Sequence, residues 1–465
     1  MPRREVADMK QLPPFHSPLH TYDKNETEVL LSYVRTRLEP DETPLDFPGH
    51  RIEIENALSG LISAQGNSVE KVLGIYQDAI APTVLSADSP RFLSFIPAAP
   101  SKSALLFDTI VSCASLQGMS WLEAAGVIVA ENQVLRFIAD LAGMPATTGG
   151  TFVSGGSAAN LSALTVARDW GREKTGQREV RIAMSAQAHS SISSTLHILD
   201  VDALIIDTDD DRVTEDSLRR TLERDTDSRP VIGVVVTSGT TNAGIVDDIA
   251  GVARVTQELE LWLHVDGAYG GAGLLSPLVR EKFNGLEYAD SFITDPHKWW
   301  FAPFDCAALL YRDPQLARRV HTQDASYLDV LHEGLADDEI NPTDVAYHLT
   351  RRARGLPLWY SLAVHGVDAY RDAVSASIRL ASDTAEYIKT LDHIELIREP
   401  ELSVVLWRRK GWAHADYEKL QDRLLADQVA FLTPTKWKGE TVGRFAFLHP
   451  ETNLDIVKDI FDQCL

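Results

Sequence analysis

Between about residues 151 and 311, short apolar runs alternate with amphipathic stretches. The runs Thr151–Ser154, Val180–Ser185, Ala203–Asp207, Pro230–Thr237, Leu261–Asp266, Ser291–Thr294 and Ala307–Tyr311 read as strands. Helical spacing separates several of them, at Asn160–Trp170, Thr214–Glu223 and Val246–Leu259. Repeated strand–helix alternation predicts an α/β domain with a mostly parallel sheet covered on both faces. Such sheets bind ligands at the carboxyl ends of their strands.

The flanks have different textures. Residues 1–30 are polar, carry Pro13, Pro14 and Pro18, and read as an arm. Helical patterns follow at Glu28–Leu38, Ser68–Ile80 and Ala125–Ala142, the last stopped by Gly143. Residues 312–357 form a long polar connection, the usual mark of a lid or active-site loop. Beyond it come a helix (Leu358–Leu391), a strand (Leu402–Arg408), a helix (Ala415–Ala426), short strands (Ala430–Thr433, Gly443–Phe447) and a last helix (Leu454–Gln463). That order predicts a smaller α+β domain.

Length and charge narrow the classes. A chain of 465 residues exceeds one small core and predicts two or three domains. It holds no run of 18 apolar residues to span a membrane, and no apolar core follows the basic start to make a secretory signal. The three cysteines, Cys113, Cys306 and Cys464, lie far apart, so neither a disulfide framework nor a cysteine metal site is expected, and a cytoplasmic location fits. A net charge of −23 argues against binding nucleic acid or anionic lipid.

Five segments carry candidate chemistry at predicted strand ends. Gly149 to Asn160 runs from a strand through Ser-Gly-Gly-Ser into a helix, where free N–H groups and the helix dipole suit an anion. A tight turn capped by Ser157 would look the same. Asp266 ends an apolar strand, so a semi-buried carboxylate there needs a cation or strong donors, although a strand-end Asp capping a turn is the commoner case. Lys298 follows a strand beside Trp299 and Trp300; desolvation would make its amine nucleophilic, unless the stem merely packs on the ring. His189 follows another strand, and Val236 to Asn242 is a hydroxyl-rich turn. Their convergence on one sheet edge is what favours a site.

In chain order, Ser-Gly-Gly-Ser, Ala-His-Ser-Ser, Ser-Gly-Thr-Thr, His-Val-Asp-Gly-Ala-Tyr and Asp-Pro-His-Lys-Trp resemble the group II pyridoxal-phosphate-dependent amino-acid decarboxylases, with the aromatic-L-amino-acid branch nearest. The likeness extends over about residues 28 to 463. It implies the fold-type I architecture with a seven-stranded sheet: an N-terminal dimer-clasping segment (1–101), a large cofactor domain (102–372) with a mobile loop at about 325–348, a small domain (373–465), and a homodimer sharing active sites. It implies pyridoxal 5′-phosphate as cofactor, no metal, and a small amino-acid substrate that loses carbon dioxide by way of a Lys298 aldimine and a quinonoid. Asp266 then matches the acid paired with the ring nitrogen, His189 the imidazole stacked on the ring, and Ala268 the small residue on its other face. Gly156, Ser157, Ser291, Asp295 and His297 match positions around the phosphate and the lysine, and Thr241 one near the ring hydroxyl.

Two departures stand out. The family's loop tyrosine, which returns a proton to Cα, falls at Pro342 when the chains are anchored on Arg351, Arg352 and Arg354. Tyr327, Tyr347 and His348 are the substitutes within reach; without one, an aldehyde synthase releasing ammonia and peroxide is the alternative reaction. The substrate pocket matches Ala87, Phe95, Ile96, Pro97, Ala98 and Met119, apolar but poor in rings, which suits a hydrophobic or aromatic amino acid. A carbon–carbon lyase would need a second phosphate site, which the sequence does not offer, and a binding protein without turnover completes the alternatives.

Overall fold

In the computed structural model the described residues are 18–40, 43–97, 99–336 and 339–465. The first 17 residues of the expected arm and the pocket position Ala98 lie outside them. The described chain divides into two compact units: residues 18–40 with 46–85, and residues 43–45 with everything from 86 onward.

The smaller unit is helical. Its helix Lys24–Leu38 begins where the Asp23 carboxylate accepts from the Glu26 amide, and Val69–Ile75 begins where Ser68 accepts from Lys71. Asn25 donates to Glu70 across the pair at 2.7 Å, and Tyr33 meets Tyr76 edge to face. None of its helices contains a buried residue.

The larger unit is built on seven strands: β1 (Gly149–Val153), β2 (Arg181–Ser185), β3 (Asp202–Ile206), β4 (Val231–Thr237), β5 (Trp262–Asp266), β6 (Ser291–Thr294) and β7 (Ala307–Tyr311). Each falls within two residues of its predicted run. Their order is β1-β7-β6-β5-β4-β2-β3, parallel throughout except for β7, which runs against both neighbours. Alternate residues feed two cores. Val234, Leu263, Val265 and Phe292 point into one, while Trp262, Ile293 and Leu309 face the helix Gly156–Thr175 through Ala159, Ala163 and Ala167. The period of two puts Trp262, His264 and Asp266 on that second face of β5.

A four-stranded antiparallel sheet follows, from β8 (Ile394–Leu396), β9 (Val404–Arg409), β10 (Thr435–Trp437) and β11 (Glu440–Ala446), in the order β10-β11-β9-β8. The expected strand at Ala430–Thr433 is a single bridge: Phe431 pairs only with Phe92, and Pro434 cannot extend a ladder. Among the described residues, four helices went unpredicted: Arg51–Leu58, Lys102–Cys113, Ser190–Ile198 and Pro314–His321. Lys102–Cys113 starts at a Ser101 cap, and Pro314–His321 at an Asp313 cap with proline in its first turn. The latter occupies the start of the long polar connection, whose far end is pinned by the buried pair Arg351–Glu131, with Glu131 also accepting from the Gly355 amide at 2.8 Å.

Two stability predictions follow from buried charge. Glu131→Ala leaves the Arg351 guanidinium without its carboxylate and should cost about 3–5 kcal/mol in urea unfolding; a loss near zero would show the pair to be idle. His264, fully buried, is pushed by burial down to about 4, against the opposing pull of Asp266. Its neutral form is thus favoured in the fold, so stability present above the unfolded histidine value of about 6.5 should fall by up to about 3 kcal/mol as the pH drops towards 4. His264→Gln should flatten that part of the pH–stability curve.

Candidate active site

A cavity of about 570 Å³ opens at the carboxyl edge of the large sheet, where β1, β2, β5 and β6 end. Its anchor is Asp266, the last residue of β5 and only 4% exposed. One carboxylate oxygen accepts from Asn160 Nδ2 and the other from the Ala268 amide, each at 3.0 Å. Those donors offset part of the desolvation of a buried acid.

β6 runs out into the turn that carries the lysine. The Lys298 amide donates to the Asp295 carbonyl, and Lys298 Nζ lies 2.9 Å from Asp295 Oδ2. Trp299 and Trp300 are wholly buried, Trp299 stacked on Tyr269 and Trp300 donating to Thr294. They lock the turn, while the lysine amine meets a carboxylate rather than an apolar wall. His297 Nδ1 accepts from the Cys306 amide, so its Nε2–H faces Asp295 at 3.6 Å; burial lowers its pKa. The second Asp295 oxygen has no hydrogen-bond partner.

The glycine turn closes the opposite side. A Cβ on Gly156 would meet the Asp295 oxygens at 3.0 and 3.1 Å and the Ala268 methyl at 3.2 Å, so only glycine leaves the gap open. Gly156 starts the helix Gly156–Thr175, whose free N–H groups lie at the cavity. His189 caps the next helix, its Nδ1 accepting from the Ser191 amide at 3.2 Å.

The cavity therefore brings together Gly156, Ser157, His189, Asp266, Ala268, Asp295, His297, Lys298 and, from the long connection, Tyr347. Ser291 and Thr241 lie elsewhere. Ser291 is fully buried behind the cavity, bonded to Trp262 and His264, and Thr241 is exposed, its carbonyl accepting from the buried Arg444. Ala87, Phe95, Ile96, Pro97 and Met119 do not line this cavity either. Tyr327 is 72% exposed and away from it, and His348 is largely buried with both ring nitrogens unpartnered, pushed down to about 4 by burial and by Arg351. Pro342 is buried in a turn beside Asn341, whose side-chain amide oxygen accepts from the Trp121 backbone amide.

Among the lining residues given no role in the sequence are Asn160, Ser191 and Asp305. For Asn160 a signal existed, since it sits one helical turn after Gly156 and an interior helical asparagine needs a polar target. Asp305, gripped by Arg354, is brought in by the β6–β7 connection and had none.

A family model described as the pyridoxal-dependent decarboxylase conserved domain matches residues 48–410. An aromatic-L-amino-acid decarboxylase of Bacillus atrophaeus is 29% identical over 86% of this chain and 86% of its own. An L-2,4-diaminobutyrate decarboxylase of Rhizobium meliloti is 32% identical over 77% of this chain and 74% of its own. A phenylacetaldehyde synthase of Petunia hybrida is 26% identical over 87% and 85%. The crystal structure of Oryza sativa TDC with PLP and tryptamine shares the fold, with a TM-score of 0.87 over 97% of this chain and 98% of that one at 22% identity. A lysine, a buried acid and an anion-ready helix start in one cavity fit that cofactor, and the chain belongs to the pyridoxal-phosphate-dependent decarboxylases, enzymes of the carboxy-lyase class.

Proposed function

We propose that this enzyme decarboxylates a hydrophobic, aromatic L-amino acid to its amine. The observation that carries the reading is the convergence of Lys298, Asp266 and His189 on one cavity. Pyridoxal phosphate supplies the electron sink that receives the Cα electron pair as carbon dioxide departs. Lys298 is the amine that attaches it, held at the cavity floor by Asp295. Asp266 would keep a proton on the ring nitrogen, His189 and Ala268 would face the ring, and the Gly156 helix start with Ser157 would hold the phosphate.

The lining supports an uncharged side chain. No arginine among the described residues lines the cavity, so an acidic side chain finds no guanidinium there. Of its acids, Asp266 is engaged by Asn160 and Ala268, Asp295 by Lys298, and Asp305 by Arg354, which leaves no unengaged carboxylate group for a cationic side chain. Leu161 and Ile198 add apolar wall. Tyr347, half exposed at the cavity, is our choice for the group that returns a proton to Cα.

The same reading makes the enzyme a cytoplasmic homodimer, with residues 1–101 clasping a second copy, 102–372 binding the cofactor and 373–465 forming a small domain. The unburied helices of the smaller unit, with exposed Leu30, Leu31 and Ile52, support the clasp, and three unpaired cysteines accord with a reducing compartment. A second reading, aldehyde synthesis, is favoured by one observation: proline stands at the matched tyrosine position and is buried.

Screening the common L-amino acids for carbon dioxide release, then quantifying amine against aldehyde plus peroxide with and without oxygen, decides between the two. Amine from an aromatic substrate, independent of oxygen, is expected; aldehyde with stoichiometric peroxide overturns it, and release only from glutamate or diaminobutyrate overturns the substrate class. Lys298→Ala should lose both the lysine-bound cofactor absorbance and turnover, and Asp266→Ala should lower kcat by about 100-fold or more. Activity near that of the parent in either variant would remove that residue from the site.

A further inference from the structure

Behind the cavity lies a buried chain of hydrogen bonds whose direction is fixed at every link. Trp262 Nε1, which can only donate, gives its hydrogen to Ser291 Oγ at 2.9 Å. Ser291 Oγ lies 2.8 Å from His264 Nδ1, and the far end of the chain sets the direction of that link: the Asp266 carboxylate can only accept, so the Asn160 amide nitrogen faces it, the amide oxygen faces His264 Nε2–H, and Nδ1 is left to accept from Ser291. His264 therefore carries its proton on Nε2, which lies 2.9 Å from Asn160 Oδ1. With its oxygen so engaged, Asn160 turns its amide nitrogen to Asp266 Oδ2 at 3.0 Å and Ser191 Oγ at 3.1 Å. The reverse orientation would set the amide oxygen against a carboxylate. Ser191, having accepted, donates to His189 Nδ1 at 2.9 Å, the same nitrogen that accepts the Ser191 amide.

All the intermediate members are buried: Trp262, Ser291, His264, Asn160 and Ser191 are each at most 7% exposed. Three come from facing positions in the sheet, since Trp262 and His264 share a face of β5 and Ser291 stands opposite His264 in the register with β6. Burial keeps His264 neutral, which preserves its one donor and one acceptor.

We infer that Asn160, backed by His264 and Ser291, is a positioning residue that couples the two working groups of the site: it orients the Asp266 carboxylate and, through Ser191, holds His189 as the tautomer with its proton on Nε2. His189 thereby presents an N–H, not a lone pair, to whatever occupies the cavity. The coupling is specific, because the two hydrogens of one amide are divided between the acid and the imidazole's serine. It rests on the proposed decarboxylase reading only for what those two groups face.

The test uses the intact protein without cofactor, so it does not depend on substrate or turnover. Long-range proton–nitrogen spectra of nitrogen-15 histidine-labelled protein, assigned with His189→Gln and His264→Gln, should give the Nε2–H tautomer for both residues. Ser191→Ala removes one of the two donors to His189 Nδ1 and leaves the residue-191 amide, so the Nδ1 resonance should shift towards that of a free lone pair while the Nε2–H form is retained, and His264 should be unchanged. Asn160→Ala should disturb both, and the Kd for pyridoxal 5′-phosphate, followed by fluorescence quenching, should rise by about tenfold. A proton on Nδ1 of either histidine in the parent, or a His189 signal unmoved in Ser191→Ala, overturns the inference. Should Asn160→Ala fail to fold, the Ser191 variant still decides it. Intact tautomers in a protein that releases no carbon dioxide would instead sink the proposed reaction alone.

Discussion

A carboxylate at the end of a buried strand sets the terms for everything around it. Asp266 is removed from water, and an acid so placed persists only with donors on both oxygens. One donor is local, the Ala268 amide two residues on. The other must come from a different element, and it comes from the first turn of the helix Gly156–Thr175. That requirement brings the helix start, with its unpaired amides, to the same sheet edge as the acid. The crossover from β1 thus delivers an anion-binding helix end and a stabilised carboxylate in one stroke, and the cavity forms between them.

Much of this was legible because it depends on local pattern. The strand runs and the period of two located Asp266, and the order of motifs along the chain drew Lys298, His189 and Gly156 to one edge. What escaped depends on contacts between distant segments. Asp305 arrives through the β6–β7 connection and its grip by Arg354, for which no spacing rule exists. Ser291 was matched to the cofactor's surroundings, yet it opens β6, well back from the strand's carboxyl end, and its side chain bonds Trp262 and His264 behind the cavity. The helix Pro314–His321 was lost within a polar stretch, although Asp313 and Pro314 are the start signal such a helix needs. The described residues of the segment from Ala87 to Pro97, and Met119, do not border this chain's cavity.

Residue 342 has a structural part in the long connection. Proline at 342 starts a short turn beside Asn341, which is tied to Trp121 and to the Leu331 carbonyl. His332 and Asp344 pair across the turn at 3.2 Å. A side chain there serves the folding of the connection. Tyr347 sits where the backbone is again anchored, its amide donating to Ser162 on the cavity helix.

Charge within the cavity imposes a further order. Asp266, Asp295 and Asp305 crowd one space of about 570 Å³, and among the described lining residues Lys298 is the sole lysine or arginine. A phosphate entering that field cannot rely on side-chain cations, because Lys298 is paired with Asp295 and Arg354 with Asp305 outside the lining. Backbone N–H groups at the start of the helix remain, and they bind an anion without adding a mobile charge. Gly156 is what keeps them accessible, since a Cβ there would strike Asp295 and Ala268. The steric demand on one glycine and the electrostatic demand of three acids therefore fall on one stretch of main chain, the start of that helix.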